Sequence, residues 1–222
     1  AATQIDGSGV TLDEQVLISG HSQGGHASLM AGDIAAAYAP ELDVVGTVAI
    51  APAGELPLIE STLSGMGGRG AGGFALMALA GFLDAYPHLP VDAVADGAWR
   101  PLLEQVGETC LNEAFGLAAG LGPRPNGTLN AEWNAVLEEN SPGRVLPAAP
   151  ILIVHGDVDD TVPAALSDII HDTYCRLGAT SQRNLYPGAD HISILGASAA
   201  DIDTWMKDRL AGAPPPSSCP TT

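Results

Sequence analysis

Ser22 stands at the centre of Gly20-His21-Ser22-Gln23-Gly24, a G-x-S-x-G pattern. A serine hydroxyl is a weak nucleophile, and this pattern is one known way to present it. A sharp strand-to-helix turn lifts the hydroxyl above the sheet and aims the next backbone N–H at developing negative charge. The flanks suit that turn. Gln15-Val16-Leu17-Ile18-Ser19 is a short apolar run of strand type, and Gly25 to Tyr38 is a small-residue, helix-forming stretch closed by Pro40. Side chains two places either side of the serine would collide in such a turn, so Gly20 and Gly24 fit it. Gln23 N–H then becomes an oxyanion-hole donor at a helix N-terminus. By pattern alone a chance match in a glycine-rich chain is as good a reading; the strand before and the helix after favour the elbow.

The serine needs a base, and the base needs an acid to orient it. On this kind of turn the chain order is serine, acid, histidine. Pro150 to Gly156 reads as a buried strand ending in a turn, followed by Asp157, Asp159 and Asp160 and then a helix from about Ala164 to Leu177. An acid there lies at the carboxyl end of a parallel strand, where open α/β sheets place their sites. Asp157 suits a turn cap and Asp160 an N-cap or first-turn acid. The twelve-residue calcium-loop pattern is not present. Ser181 to Pro187 reads as an exposed or edge strand, and the loop after it ends in His191, the last histidine and the candidate base. Of the others, His171 is placed on a solvated helix face and His155 is packed at a strand end. His88 is in a loop, and His21 and His26 flank the elbow, either lining the site or, for His26, on the helix surface.

Five segments together resemble the secretory lipases of the α/β-hydrolase superfamily, the group related to Candida antarctica lipase A. They are Gly-His-Ser-Gln-Gly-Gly-His-Ala at 20–27, Asn-Ser-Pro-Gly at 140–143, His-Gly-x-x-Asp-x-x-Val-Pro at 155–163, Tyr-Cys-x-x-Gly-Ala at 174–179 and Tyr-Pro-x-x-x-His at 186–191. The resemblance covers most of residues 15–210 and selects Asp159 among the three aspartates. It implies a catalytic triad of Ser22, Asp159 and His191. The implied fold is α/β, a mostly parallel sheet flanked by helices with a helical cap insertion. Residues 1–53 would be core with the elbow, 54–146 the cap, 147–212 core with acid and histidine, and 213–222 a Pro/Ser-rich tail. The implied activity is hydrolysis of carboxylic esters, lipid or medium-to-long acyl, through an acyl-enzyme, by a secreted protein that uses no cofactor and no metal. A non-catalytic binding unit of the same fold and a peptidase of the same fold are the alternatives.

Within the cap, Phe74 to Leu83 is strongly apolar but too short to span a bilayer. Trp99 to Leu121 alternates apolar and acidic positions at helical spacing. The apolar faces of these helices serve either as core or as part of an acyl-binding tunnel. Gly65 to Gly70 fits G-x-G-x-x-G without a βαβ setting and reads as a flexible hinge, and Asn126-Gly127-Thr128 is a glycosylation sequon. No H-E-x-x-H or C-x-x-C occurs to suggest a metal.

Four strand candidates are visible, at 15–19, 44–51, 150–155 and 182–186, and the elbow comes early, at residue 20. A second oxyanion donor in this fold comes from an earlier strand-to-helix loop. The expectation is therefore the C-terminal portion of a longer hydrolase, with the missing N-terminal half of the same protein as its partner. Cys175 and Cys219 are placed to pair and tie back the tail. Cys110 is left over, either a thiol whose partner the resemblance puts in the N-terminal region or a small buried hydrophobe. Net charge is −18, with Lys207 the single lysine. Such a surface repels nucleic acid and anionic membranes. The chain is 46% apolar but 5% aromatic, so its core must be built from Ala, Val and Leu.

Overall fold

Three apolar runs with β-branched residues and one polar run become four parallel strands, in a computed structural model that describes residues 13–66, 69–95, 97–122 and 129–220. Strand β1 is Gln15–His21, β2 Asp43–Ile50, β3 Ile151–Gly156 and β4 Ser181–Tyr186. They lie side by side in the order β1-β2-β3-β4. Helix α1, Gln23–Tyr38, makes the crossover from β1 to β2. The glycine-rich stretch 65–70 lies partly, and the Asn126 sequon wholly, outside the described residues.

The chain divides into two compact units, residues 1–55 with 140–222, and residues 56–139. In the first, side chains alternate across the sheet. Val48, Ile50, Leu152 and Val154 pack on one face with Ile194, Ile202 and Trp205. Those partners come from α8, Ile194–Ala197, and α9, Ala199–Leu210, once α2 (Leu56–Met66) to α6 in the second unit and α7 (Ala165–Leu177) have passed. Ala49, Ile151 and Ile153 pack on the other face with Leu29, Ile170 and Tyr174 of α1 and α7. A parallel strand covered on both faces has no polar side, and all six residues of β3 are buried. Gly46 leaves the room that the Trp205 ring occupies.

The second unit is helical: α2, α3 (Arg69–Ala85), α4 (Arg100–Val106), α5 (Leu111–Leu117) and α6 (Ala131–Glu139). Leu76, Leu79, Trp99, Leu103, Val106 and Trp133 form its core. Trp133 Nε1–H donates to Pro90 O at 3.1 Å, so the buried indole has its partner. No helix among the described residues is long and apolar enough to cross a membrane.

Cys175 and Cys219 form a disulfide. It holds the tail along β4, where Ser218 N donates to Ser181 O and Arg183 N to Ser218 Oγ, both at 2.9 Å. The tail so covers polar groups on the free edge of that strand. One of the two alternatives for Cys110 is excluded here, and one expectation, for His171, is corrected. Cys110 is exposed rather than buried, and its N–H donates to Glu113 Oε2 at 3.0 Å as α5 begins. His171 is buried, not solvated, because the tail lies over it: Nδ1 is 2.8 Å from Ser181 Oγ and Nε2 is 3.2 Å from Ser218 Oγ.

The glycines around the elbow divide differently from the sequence expectation. A Cβ at Gly20 would lie 2.0 Å from Gly24 O, so Gly20 has no alternative. A Cβ at Gly24 meets nothing within 4 Å. The second tight glycine is instead Gly25, where a Cβ would come 3.0 Å from both Ile50 O and Pro52 Cα. The cause is that α1 starts against the end of β2, and the helix turns its third residue, not its second, toward it. Gly24→Ala is therefore expected to stabilise the fold by about 0.5–1 kcal/mol through helix propensity. Gly25→Ala is expected to destabilise it by about 1–3 kcal/mol through overpacking against backbone. Urea unfolding of both variants checks this; equal gains would mean that α1 does not press on β2.

Candidate active site

Ser22, Asp159 and His191 all follow the carboxyl ends of parallel strands, β1, β3 and β4. Ser22 has φ 58° and ψ −120°. A left-handed φ on a residue with a side chain costs about 1–3 kcal/mol and persists only where the surroundings enforce it. Here they do: Ser22 N donates to Ile50 O at 2.8 Å, while His26 N and Ala53 N donate to Ser22 O at 3.0 and 3.2 Å. A second strained residue, Ala51 with φ 44°, sits beside it at the end of β2, its N–H donating to Val154 O at 2.8 Å. Gln23 opens α1, so its N–H has no acceptor within the helix.

His191 is held by its own loop. Asp190 Oδ1 accepts from Ile192 N, Ser193 N and Ser193 Oγ at 3.0, 2.7 and 2.7 Å. Those hydrogen bonds, the ones to Ser193 foremost, hold the Asp190 carboxyl below its ordinary range. His21 Nε2–H donates to His191 O at 2.7 Å, fastening the loop to the elbow. Gly156 lets the loop pass close to the end of β3, for a Cβ there would stand 2.0 Å from Ala189 O.

The Asp159 side chain is fully buried. Its Oδ1 accepts from Thr161 N at 2.9 Å and Val162 N at 2.8 Å. Its Oδ2 lies 2.7 Å from His191 Nδ1. A carboxylate only accepts, so Nδ1 carries the proton and Nε2 presents its lone pair. That Nε2 is 2.9 Å from Ser22 Oγ. The three side chains thus form one hydrogen-bonded line from carboxylate to hydroxyl.

The other two aspartates of the loop do different things. Asp157 accepts from Gly188 N at 2.6 Å, bracing the turn after β4, where Gly188 has φ 76°. Asp160 is exposed and meets only the Thr161 hydroxyl, at 3.4 Å. It is neither N-cap nor first-turn acid of α7: those are Ala164 and Asp168, because Thr161, Val162, Pro163 and Ala164 intervene before the helix starts. His26 faces the Asn140 carbonyl at 2.7 Å, which gives it a structural partner.

Sequence reasoning missed the surroundings of His155. This ring is wholly buried, 3.2 Å from Asp159 Oδ2, 2.9 Å from Val162 O and 2.6 Å, through Nδ1, from Ser167 Oγ. The available signal was its spacing, four residues before the acid on a fully apolar strand. As for metals, the described residues that bring ligand atoms together are His171, Cys175 and Cys219, and both sulfurs are committed to the disulfide.

This sheet with its strand-end serine, acid and histidine is an α/β-hydrolase fold. Candida antarctica lipase A superposes on it with a TM-score of 0.77 at 23% identity, over 95% of this chain and 52% of that one. A ligand-bound form of the rice cell wall degrading esterase LipA of Xanthomonas oryzae gives 0.68 at 16% identity, over 92% and 60%. The secretory lipase family matches residues 1–218, and the chain belongs to that family. A probable inactive lipase of Mycobacterium tuberculosis is 31% identical over 206 residues, 88% of this chain and 45% of that protein. Lipase A of Arthroderma benhamiae is 26% identical over 227 residues, 96% and 47%. The chain spans about half the length of these curated relatives.

Proposed function

We propose that this chain carries the nucleophile, base and acid of a secreted serine hydrolase of carboxylic esters. The observation that carries the reading is the line Asp159–His191–Ser22, at 2.7 and 2.9 Å, ending on a serine held at positive φ. Ser22 Oγ attacks the acyl carbonyl carbon as its proton passes to His191 Nε2. Asp159 stabilises the imidazolium so formed. The tetrahedral oxyanion takes a hydrogen bond from Gln23 N–H. Collapse breaks the bond to the leaving oxygen, which takes the proton from His191 and departs as the alcohol. Water then attacks the acyl-Ser22 ester, giving its proton to the same nitrogen. The carboxylic acid leaves and Ser22 recovers its proton. No step needs a cofactor or metal. Lipid or medium-to-long acyl esters are the substrate class that membership in the secretory lipases supports. The disulfide agrees with an oxidising, extracellular setting.

A fluorophosphonate should phosphonylate the protein once with loss of fluoride, and peptide mass mapping should find the adduct on Ser22; a p-nitrophenyl ester series then reads chain length. One observation favours a second reading, a hydrolase fold without turnover: a relative at 31% identity is described as a probable inactive lipase. Absence of the Ser22 adduct, in this chain and in one extended at its N-terminus to the relatives' length, would decide for that second reading. An adduct elsewhere would overturn the choice of nucleophile.

A further inference from the structure

A second histidine touches the oxygen of Asp159 that His191 uses. We propose that His155 is a positioning residue for the catalytic acid, donating its Nε2–H to Asp159 Oδ2 and so aiming that oxygen at His191. The proposal rests on the triad reading above.

The direction of the hydrogen bonds fixes the proton. His155 Nε2 faces two groups that only accept, Asp159 Oδ2 at 3.2 Å and Val162 O at 2.9 Å. Nε2 therefore carries the hydrogen and shares it between them. Nδ1, 2.6 Å from Ser167 Oγ, must then accept, and the Ser167 hydroxyl donates. Both partners are fully buried. Burial pushes the His155 imidazole below its ordinary range, against the opposing pull of its bonds to Val162 and of the Asp159 charge.

The consequence falls on Asp159. Oδ1 is held by two backbone N–H groups and Oδ2 by two imidazoles. A buried carboxylate with four donors is compensated for its burial, and one held through both oxygens cannot rotate. His155 and His191 share Oδ2, so His155 sets the orientation of the acid and the direction from which Oδ2 meets His191. The other groups facing this pair are Ser22, Asp190 and His21, whose ring centroid is 4.7 Å from that of His191. Arg183 of β4 acts on His155 by its charge.

Two substitutions separate positioning from packing. His155→Gln carries its amide N–H out to the Nε2 position and keeps the donor to Asp159. His155→Asn reaches only the Nδ1 position, keeping Ser167 and dropping Asp159. In His155→Asn, the 15N and N–H proton shifts of His191 Nδ1 should move as its bond to Asp159 Oδ2 loosens. In the same variant kcat should fall about 10–100-fold with KM little changed. His155→Gln should restore most of both. A purely structural role predicts that the two variants behave alike, and that outcome overturns the proposal. The unsubstituted protein supplies a further check, since 15N shifts should report the Nε2–H tautomer of His155; the Nδ1–H tautomer would overturn it outright. If no ester is hydrolysed the proposed function fails, while the tautomer of His155 and the His191 Nδ1 shift still decide the role of His155.

Discussion

Asp159→Asn will lower ester turnover about 10⁴-fold, while Asp157→Asn and Asp160→Asn stay within a few-fold of the unsubstituted protein. The reason lies in which atoms the loop can accept. Thr161 N and Val162 N both donate to Oδ1, so the amide oxygen of an asparagine must take that place. Its NH₂ then stands where Oδ2 was, facing His191 Nδ1. A donor there requires Nδ1 to accept and moves the imidazole proton to Nε2, the atom facing Ser22 Oγ. The base is lost to the wrong tautomer with the fold intact. The same NH₂ also confronts the His155 Nε2–H, two donors in a buried site. At Asp157 an asparagine oxygen still accepts from Gly188 N, and Asp160 is exposed. Steady-state kcat for the three variants, with thermal unfolding as the control for folding, checks the set. If Asp157→Asn were the crippling change, the acid would be misassigned.

How much of this was legible in the sequence depends on the range of the interaction involved. Strands β1 to β3 were readable because apolar runs with β-branched residues carry their own signal, and the edge position of β4 followed from its polar composition. The order of the candidate residues was readable because each follows such a run. Contacts between distant segments were not. The solvated position expected for His171 ignored the tail that the disulfide carries across it. Gly24 and Gly25 look alike in a row of letters, and only the end of β2 tells them apart. Asp160 looked like a helix cap by residue type, yet Thr161, Val162 and Pro163 separate it from Ala164, the N-cap of α7. His155 was correctly placed as a packed strand residue, but its partner is fixed by how the loop folds back over the strand end.

Ser22→Ala and His191→Ala will each lower kcat about 10⁶-fold, and the double variant will fall no further. The nucleophile and its base act as one unit across the 2.9 Å contact between Oγ and Nε2. Without the hydroxyl there is no attacking atom for the imidazole to activate, and without the imidazole the hydroxyl keeps its proton at neutral pH. What survives should be the contribution of the elbow itself, Gln23 N–H and substrate binding, about 10³–10⁴ over water. Neither loss should come through unfolding in Ser22→Ala. The Cβ is retained, and Ala51 shows that alanine is accommodated at positive φ at the end of the adjacent strand β2, where neighbouring strands enforce it. Stability should therefore change by about 1 kcal/mol at most, the net worth of the single part-buried hydrogen bond to His191 that is lost. The double variant is the informative one. Losses that multiplied would mean that Ser22 and His191 serve separate steps, and the line of hydrogen bonds from Asp159 to Ser22 would then not be the unit of catalysis.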